Sequence, residues 1–555
     1  MAFAVAVGKS DFPSLRQEGA YYVDKTELLY ELVHEVKNEV SLFTRPRRFG
    51  KTLMMSMIDS FFNVRKDSRA IFEGLDIMKH PDFCKEWMNS RPVLFMSLKD
   101  VDGYDFDGAY KMLTSVISDR CIDLAPVFAN AELDAGDRQT FEKLKGKTAD
   151  IDDVKGSLKT LMRMMSAVYG KKVILLIDEY DVPLAKASEK DTAENHFYNK
   201  MLDVIRGLMS LSLKDNEFLE FAVVTGCMRI SKESIFTGTN NFASYSVLDE
   251  EFSEYFGFTD GEVRALLAAA GRSDKEAVVR EWYDGYVFGT SHVYCPWDVI
   301  NYLASLRTNP NARPKTFWKD SSHNGILRTF VGRTEFKIKG KFETLMNGGT
   351  VTQTITDMLT YDTLHASEDN LWSVLLMTGY VTKAGPEDDG DTVSLRIPNK
   401  EVSTIFQDTV VSLFRDTIDN SKQKSMMEAL WNGDEDAAGK AVSDLLWKTI
   451  SYNDYHEDYY HAFLAGVFTG LGYEVESNKE KGLGRPDIIL LDDDNRRAII
   501  IEAKKSAGRA DMEKDCGRAL AQVDTRKYAE GLYGYTQVLC YGIAFFQKEA
   551  LVRKG

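Results

Sequence analysis

The chain has 555 residues, room for three to five folding units at roughly 100–200 residues each. Hydrophobic residues make up 44% and charged residues 28%, which excludes global disorder and leaves enough apolar material for packed cores. A formal net charge of −16 excludes nucleic-acid binding through overall charge, so any such contact needs a local basic patch.

The opening segment Ala2–Val7 reads as a short strand, too short and without the basic leader of a signal peptide. No apolar run approaches the ~20 residues of a membrane span. Up to about residue 250, apolar runs alternate with amphipathic stretches. The candidate strands are Val40–Thr44, Val93–Leu98, Val173–Ile177, Leu219–Thr225 and Ser244–Leu248. Continuous apolar runs suit strands buried on both faces, and the alternation predicts an α/β unit with a mostly parallel sheet covered by helices. Residues 251–330 form a lid-like helical and aromatic region. Residues 331–450 look mainly helical, with Gly385–Asp391 a turn between strand-like runs. The last unit, 451–555, reads αβββαβ: a helix near Tyr455–Leu471, strands Tyr473–Ser477, Pro486–Leu491 and Arg497–Lys504, a helix near Asp511–Leu532, and a strand Thr536–Phe546. Six cysteines are scattered without a CxxC pair, which argues against a zinc ribbon or a disulfide scaffold and fits a reducing cytoplasm.

The first chemical signal is Thr44-Arg45-Pro46-Arg47-Arg48-Phe49-Gly50-Lys51-Thr52, entered by a strand and left by a helix. Gly50-Lys51-Thr52 matches the end of a P-loop. Backbone N–H groups and the helix start hold phosphates, the lysine neutralises β/γ charge, and the threonine hydroxyl binds Mg²⁺. Arg47, Arg48 and Phe49 complete the candidate loop. The first glycine of the pattern is replaced by Arg45, where glycine-type torsions cost other residues on the order of 1 kcal/mol, so a differently shaped loop is expected. The second signal is Val173–Ile177 ending in Asp178-Glu179: Asp178 to hold Mg²⁺, Glu179 to orient and deprotonate the attacking water. A third strand ends at Thr225, the candidate γ-phosphate sensor, with Arg229 beyond it as an arginine finger or an ordinary ion-paired arginine.

In the last unit, Gly484-Arg485-Pro486-Asp487 precedes Glu502-Ala503-Lys504. Glu502 and Lys504 share a strand face, and an antiparallel hairpin brings Asp487 beside Glu502. Two carboxylates suit Mg²⁺ or Mn²⁺, with Lys504 serving the attacking water. The bland alternative is a cross-strand ion pair. Glu457 on the preceding helix is a further outer-sphere candidate. Gln522 and Tyr528 resemble the QxxxxxY signature of RecB-like nucleases, which implies contact with nucleic acid. Lys479, Lys481, Arg485, Lys505 and Arg509 form either the local basic patch or a solvated face.

Tyr22-Val23-Asp24-Lys25-Thr26, the Arg45–Thr52 loop, Ile177-Asp178-Glu179-Tyr180-Asp181, Phe236-Thr237-Gly238-Thr239-Asn240-Asn241, Trp282-Tyr283-Asp284-Gly285-Tyr286 and Tyr294-Cys295-Pro296-Trp297-Asp298 together resemble the bacterial AAA-ATPase-like family. The likeness covers nearly the whole chain, least specifically 331–450. It implies a P-loop ATPase core over 1–250, arginine at position 45 as usual, and a PD-(D/E)XK restriction-endonuclease-like domain over 451–555. The expected partners are ATP and DNA or RNA, with a homo-oligomer left open and no membrane. Two activities remain open: an ATP-gated metal-dependent nuclease, or an ATP-driven switch whose nuclease-like domain binds nucleic acid or a protein without cleaving.

Overall fold

The apolar runs of the first half become strands Val40–Thr44 (β1), Val93–Ser97 (β2), Val173–Asp178 (β3) and Leu219–Gly226 (β4), followed by the two-residue Arg229–Ile230 (β5) and by Phe242–Tyr245 (β6). β1 and β3 are buried at every position, as strands covered on both faces must be. The computed structural model describes residues 3–34, 38–192, 194–230, 242–318, 338–346, 348–356, 358–359, 361, 367–385, 392–406, 409, 420–449, 457–470, 474–477, 486–493, 495–532 and 534–555. Among these residues no helix is long and apolar enough to cross a membrane. By compactness they fall into two units, Met1–Ser322 with Thr352–Glu401, and His323–Val351 with Val402–Gly555.

In the first unit the strands form a parallel sheet in the order β2-β3-β4-β1-β6. β4 therefore lies between the strand that enters the P-loop and the strand that ends in the acids. Long helices connect the strands because each run carries apolar residues at helical spacing. Ile151–Tyr169 and Phe197–Leu213 bury Leu158, Leu161, Met201 and Ile205 with Leu175 and Ile177 in one cluster. Asp105, Asp134 and Asp150 cap helix starts through their side chains, each contributing about 1 kcal/mol. The expected strand Ala2–Val7 is not one over its described part. A single hydrogen bond, Tyr21 N–H to the Ala4 carbonyl, ties this segment at 2.8 Å, and no ladder forms.

Beyond Glu251 the chain makes a short strand Phe258–Thr259 (β7), helices Asp260–Ala269 and Glu276–Tyr283, and the hairpin Tyr286–Phe288 (β8) and Ser291–Tyr294 (β9), leading to helix Pro296–Thr308. Gly285, between the second helix and β8, has φ +101°, and a Cβ there would lie 2.0 Å from the Pro398 carbonyl oxygen, so two backbones meet where only glycine fits. The stretch 331–450, expected to be mainly helical, also holds the short strands Val351–Thr354 (β10), Met358–Leu359 (β11), Thr382–Lys383 (β12) and Thr392–Arg396 (β13). Runs of two to five residues are too short to show a readable alternation.

The second unit is a mixed sheet of Glu474–Ser477 (β14), Ile488–Asp492 (β15), Arg497–Lys505 (β16), Gln537–Phe546 (β17) and Glu549–Lys554 (β18), in chain order. β15 and β16 are antiparallel. β16 and β17 are parallel, joined across helix Met512–Thr525. β18 extends the expected αβββαβ order by one strand. It is an edge strand carrying Glu549, Arg553 and Lys554, a charged composition that hides strand character from a sequence reading.

One pair in the first unit runs against ordinary burial. Asp298, in the first turn of Pro296–Thr308, and Glu401 are each 1% exposed, and their carboxyls face one another beside the Cys295 thiol. The Trp318 N–H donates to Glu401 Oε1 at 2.7 Å. Burial, with Asp298 adding to it, holds the Glu401 carboxyl far above the usual carboxylate range, so it stays protonated in the fold. Its stabilising contribution is complete below the unfolded-chain value and is lost progressively as pH rises from there toward the folded value. Gln is neutral in both states and keeps the same acceptor. We expect Glu401→Gln to be more stable than the parent at pH 8 by at least about 1 kcal/mol, with the difference closing toward pH 4. Thermal melts across that range check it, and equal melting temperatures at pH 8 would rule out the shared-proton pair.

Candidate functional site

The P-loop leaves β1 at Thr44 and enters helix Lys51–Phe62 through Gly50, whose φ is +87°. Arg45 does not take a left-handed backbone; the non-glycine residue of the loop that does is Arg48, at φ +74°. Arg45 is instead fully buried. Its Nη1 donates to the Thr44 carbonyl at 3.0 Å and the Tyr245 carbonyl at 2.7 Å, and its guanidinium lies 4.9 Å from the Phe256 ring centre. The arginine ties the loop's entry to the end of β6 and packs on an aromatic wall, a structural role that glycine cannot fill.

Lys51, 5% exposed, donates to the Arg45 and Pro46 carbonyls at 2.8 and 2.9 Å, so its ammonium is held across the loop. The Thr52 hydroxyl donates to Asp178 Oδ2 at 2.9 Å, and the Thr225 hydroxyl donates to Asp178 Oδ1 at 2.5 Å. The parallel register sets this: Thr44 is level with Gly226, and Phe43 with Thr225, so the C-terminal ends of β1, β4 and β3 meet around one buried carboxylate. The Glu179 N–H also donates to Thr225 Oγ1 at 3.3 Å. Glu179 has φ +55°, a conformation that costs on the order of 1 kcal/mol and persists only where its neighbours impose it. Burial raises the Glu179 carboxyl pKa, with Asp178 and Asp181 adding to the rise and Lys51 and Arg47 opposing it.

A cavity of about 440 Å³ opens at these strand ends. Its walls include Arg47, Arg48, Phe49, Gly50, Lys51, Thr52 and Glu179 from the expected set. Phe49 also anchors the loop, its ring 5.0 Å from Tyr286 and from Phe288. Arg229 does not line the cavity. It lies on β5 with its guanidinium 5.8 Å from the Phe242 ring centre. Sequence reasoning missed Tyr21, Val23, Trp297 and Ile300, which give the cavity its apolar wall, with Arg48 stacked 3.7 Å over Trp297. The aromatic Tyr294–Asp298 segment was the available signal. Phe236–Asn241 lies outside the described residues.

In the second unit the β15–β16 hairpin brings the expected acids together. The Asp487 N–H reaches Glu502 Oε2 at 3.4 Å, and the Ala503 N–H donates to Asp487 Oδ2 at 2.8 Å. Glu502 is fully buried. Lys504 Nζ donates to its Oε1 at 3.2 Å, and the Gln522 amide, from helix Met512–Thr525, donates to the same oxygen. Burial first, then Asp487, pushes the Glu502 carboxyl up to about 7. A hard cation fits this set: the donors are oxygens, their mutual repulsion is incompletely offset, and no thiol or imidazole competes among the residues named. Tyr528, expected at nucleic acid, is 2% exposed and packs with Ile489, Ala498 and Ile500 in a core cluster of the second unit. Glu457 begins helix Glu457–Gly470. Of the basic candidates, Arg509 is paired with Glu549, and Lys479, Lys481 and Arg485 lie outside the described residues.

A relative from Azotobacter chroococcum mcd 1, described as an uncharacterized protein in the vnfD 5'region, is 22% identical over 543 residues, spanning 94% of this chain and 92% of its own length. The family model described as a predicted AAA-ATPase matches residues 6–236, which include the P-loop, the acidic strand end and Thr225. A second, described as the PD-(D/E)XK nuclease superfamily, matches residues 455–554, which include Asp487, Glu502 and Lys504. The chain therefore joins a predicted AAA-ATPase domain to a domain of the PD-(D/E)XK nuclease superfamily.

Proposed function

We propose that the protein binds and hydrolyses Mg-ATP in the first unit and uses that cycle to gate metal-dependent cleavage of DNA or RNA in the second. The observation that carries the reading is the buried Asp178 joined at once to Thr52 and Thr225, with Thr52, Lys51 and Glu179 on the cavity wall. Lys51 supplies the counter-charge for the β- and γ-phosphates, and Gly50 presents the helix start to them. Magnesium held by Thr52 and Asp178 would neutralise phosphate charge as it develops. Glu179 orients water for in-line attack. Thr225 fixes Asp178 and the Glu179 backbone together, so the acid that sets the metal and the acid that sets the water move as one.

In the second unit Asp487 and Glu502 would hold magnesium or manganese, which polarises a scissile phosphate. Lys504 reaches Glu502 from 18% exposure and serves the attacking water. Gating is supported by chain order, because the polypeptide leaves the first unit after Ser322, returns at Thr352 and leaves again after Glu401. A second reading, a switch that binds without cutting, draws on Glu502 already being satisfied by Lys504 and Gln522. A cytoplasmic location belongs to the same proposal, and a homo-oligomer stays open.

Lys51→Ala is expected to weaken ATP binding by at least about 100-fold, while Glu179→Gln binds normally and loses at least about 100-fold in kcat. Nucleotide titration beside a phosphate-release assay checks both, and parent-level hydrolysis by Lys51→Ala would end the assignment.

Calorimetric Mn²⁺ titration tests the second unit. Because Glu502 must lose a proton to bind the ion, affinity should rise by up to about tenfold per pH unit below 7 and level off above it. Asp487→Asn with Glu502→Gln should abolish that binding and any plasmid nicking, and Lys504→Ala should lose nicking alone. Unchanged metal affinity in the double variant would reduce the site to an ion pair. Metal binding without nicking by the parent, with or without ATP, would select the switch.

A further inference from the structure

Asp181, three residues beyond the end of the acidic strand, is 2% exposed and does not line the cavity. Its Oδ2 accepts from the backbone N–H groups of Cys227 at 2.9 Å and Met228 at 3.1 Å, and from the Tyr361 hydroxyl at 3.1 Å. Three donors replace the water that Oδ2 has lost, while the buried Oδ1 has no hydrogen-bond partner among the described residues. The Cys227–Met228 turn follows directly on Thr225 and Gly226. Gly226 makes the approach feasible, because a Cβ there would lie 2.7 Å from the Tyr180 ring and 2.8 Å from Asp181 Oδ1. Tyr180 closes the clamp: its hydroxyl donates to the Met228 carbonyl at 2.8 Å, and its N–H to the Thr225 carbonyl at 3.0 Å. The turn after the sensor strand is thereby fixed to the turn after the acidic strand.

Tyr361 is the one member of this clamp that comes from a distant part of the chain. Just before it, β11 pairs in parallel with β5, Met358 level with Arg229 and Leu359 with Ile230. Ladder and hydroxyl together dock Met358, Leu359 and Tyr361, of the returning segment, on the turn after β4. In sequence that segment, Thr352–Glu401, follows immediately on His323–Val351, which belongs to the second unit. Arg47, a wall residue of the cavity, hydrogen-bonds the Cys227 side chain, whose Sγ also lies 4.0 Å from the Lys51 ammonium, so the cluster adjoins two residues of the cavity wall.

We propose that Tyr361 is a positioning residue of the hydrolytic site: its hydroxyl locks Asp181 and the Cys227–Met228 turn, and so holds Thr225 and Glu179 for water attack while the returning segment is docked. This rests on the ATP-hydrolysis reading above. Loss of the hydroxyl leaves a buried carboxylate short of one donor while the ring remains in place, so the site loosens without losing its walls.

The test compares the full chain with Tyr361→Phe. Mg-ATP turnover, binding of a non-hydrolysable ATP analogue, and hydrogen exchange over Thr352–Tyr361 are measured. The variant should lose roughly tenfold in kcat, with KM and analogue affinity within about twofold. Analogue binding should slow exchange over Thr352–Tyr361 in the parent and not in the variant. A variant that turns over at the parent rate overturns the inference alone, as does one whose KM rises at constant kcat, or one that loses analogue binding and heat stability together. A parent that binds the analogue but never hydrolyses ATP overturns the functional reading and this inference with it.

Discussion

The first unit is organised around the Asp178 carboxylate, which has no exposure and yet carries the end of a buried strand. A carboxyl group sealed from water needs hydrogen-bond partners, and burying it unpaired would cost several kcal/mol. Thr52 and Thr225 supply those bonds from the P-loop helix and from the neighbouring strand. The sheet order follows the same need, since β4 must lie between β1 and β3 for Thr225 to reach the acid. Strand register, loop position and the place of Thr225 therefore converge on one buried carboxyl group.

Strain gathers where that arrangement meets the cavity. Glu179 and Arg48 both hold left-handed backbones without being glycine, and both line the cavity wall. The sheet beneath is buried and regular, and the Arg45 guanidinium pins the loop entry to the Tyr245 carbonyl. A rigid base of this kind can impose torsions that an isolated turn would relax. The strained residues are the ones assigned to water and phosphate, as expected when preorganisation and local instability share a site.

Two carboxyl pairs lie elsewhere, with different outcomes. Asp298 and Glu401 are sealed with the Trp318 backbone N–H and a thiol for company, so the pair relieves its charge by keeping a proton. Asp487 and Glu502 have a lysine and an amide on the same oxygen, and Lys504 keeps some contact with water. There a proton, a lysine or a metal ion can each relieve the repulsion, and that choice makes the second pair chemically useful.

The sequence by itself determined the local parts of this protein. Apolar runs such as Val173–Ile177 are strands buried on both faces, and Gly50-Lys51-Thr52 is a helix start because glycine takes the left-handed torsion at its N-cap. Asp487 beside Glu502 was legible because a hairpin joins them over fifteen positions and strand alternation fixes the face. The charged edge strand Glu549–Lys554 was not, since its composition matches a solvated loop. Only the tertiary structure decided that Arg45 is an aromatic-packed anchor, that Trp297 walls the cavity, that Tyr528 is core, and that Tyr361 reaches Asp181 across 180 positions. Those contacts depend on how separately formed elements pack, and periodicity carries information only about neighbours a few residues away.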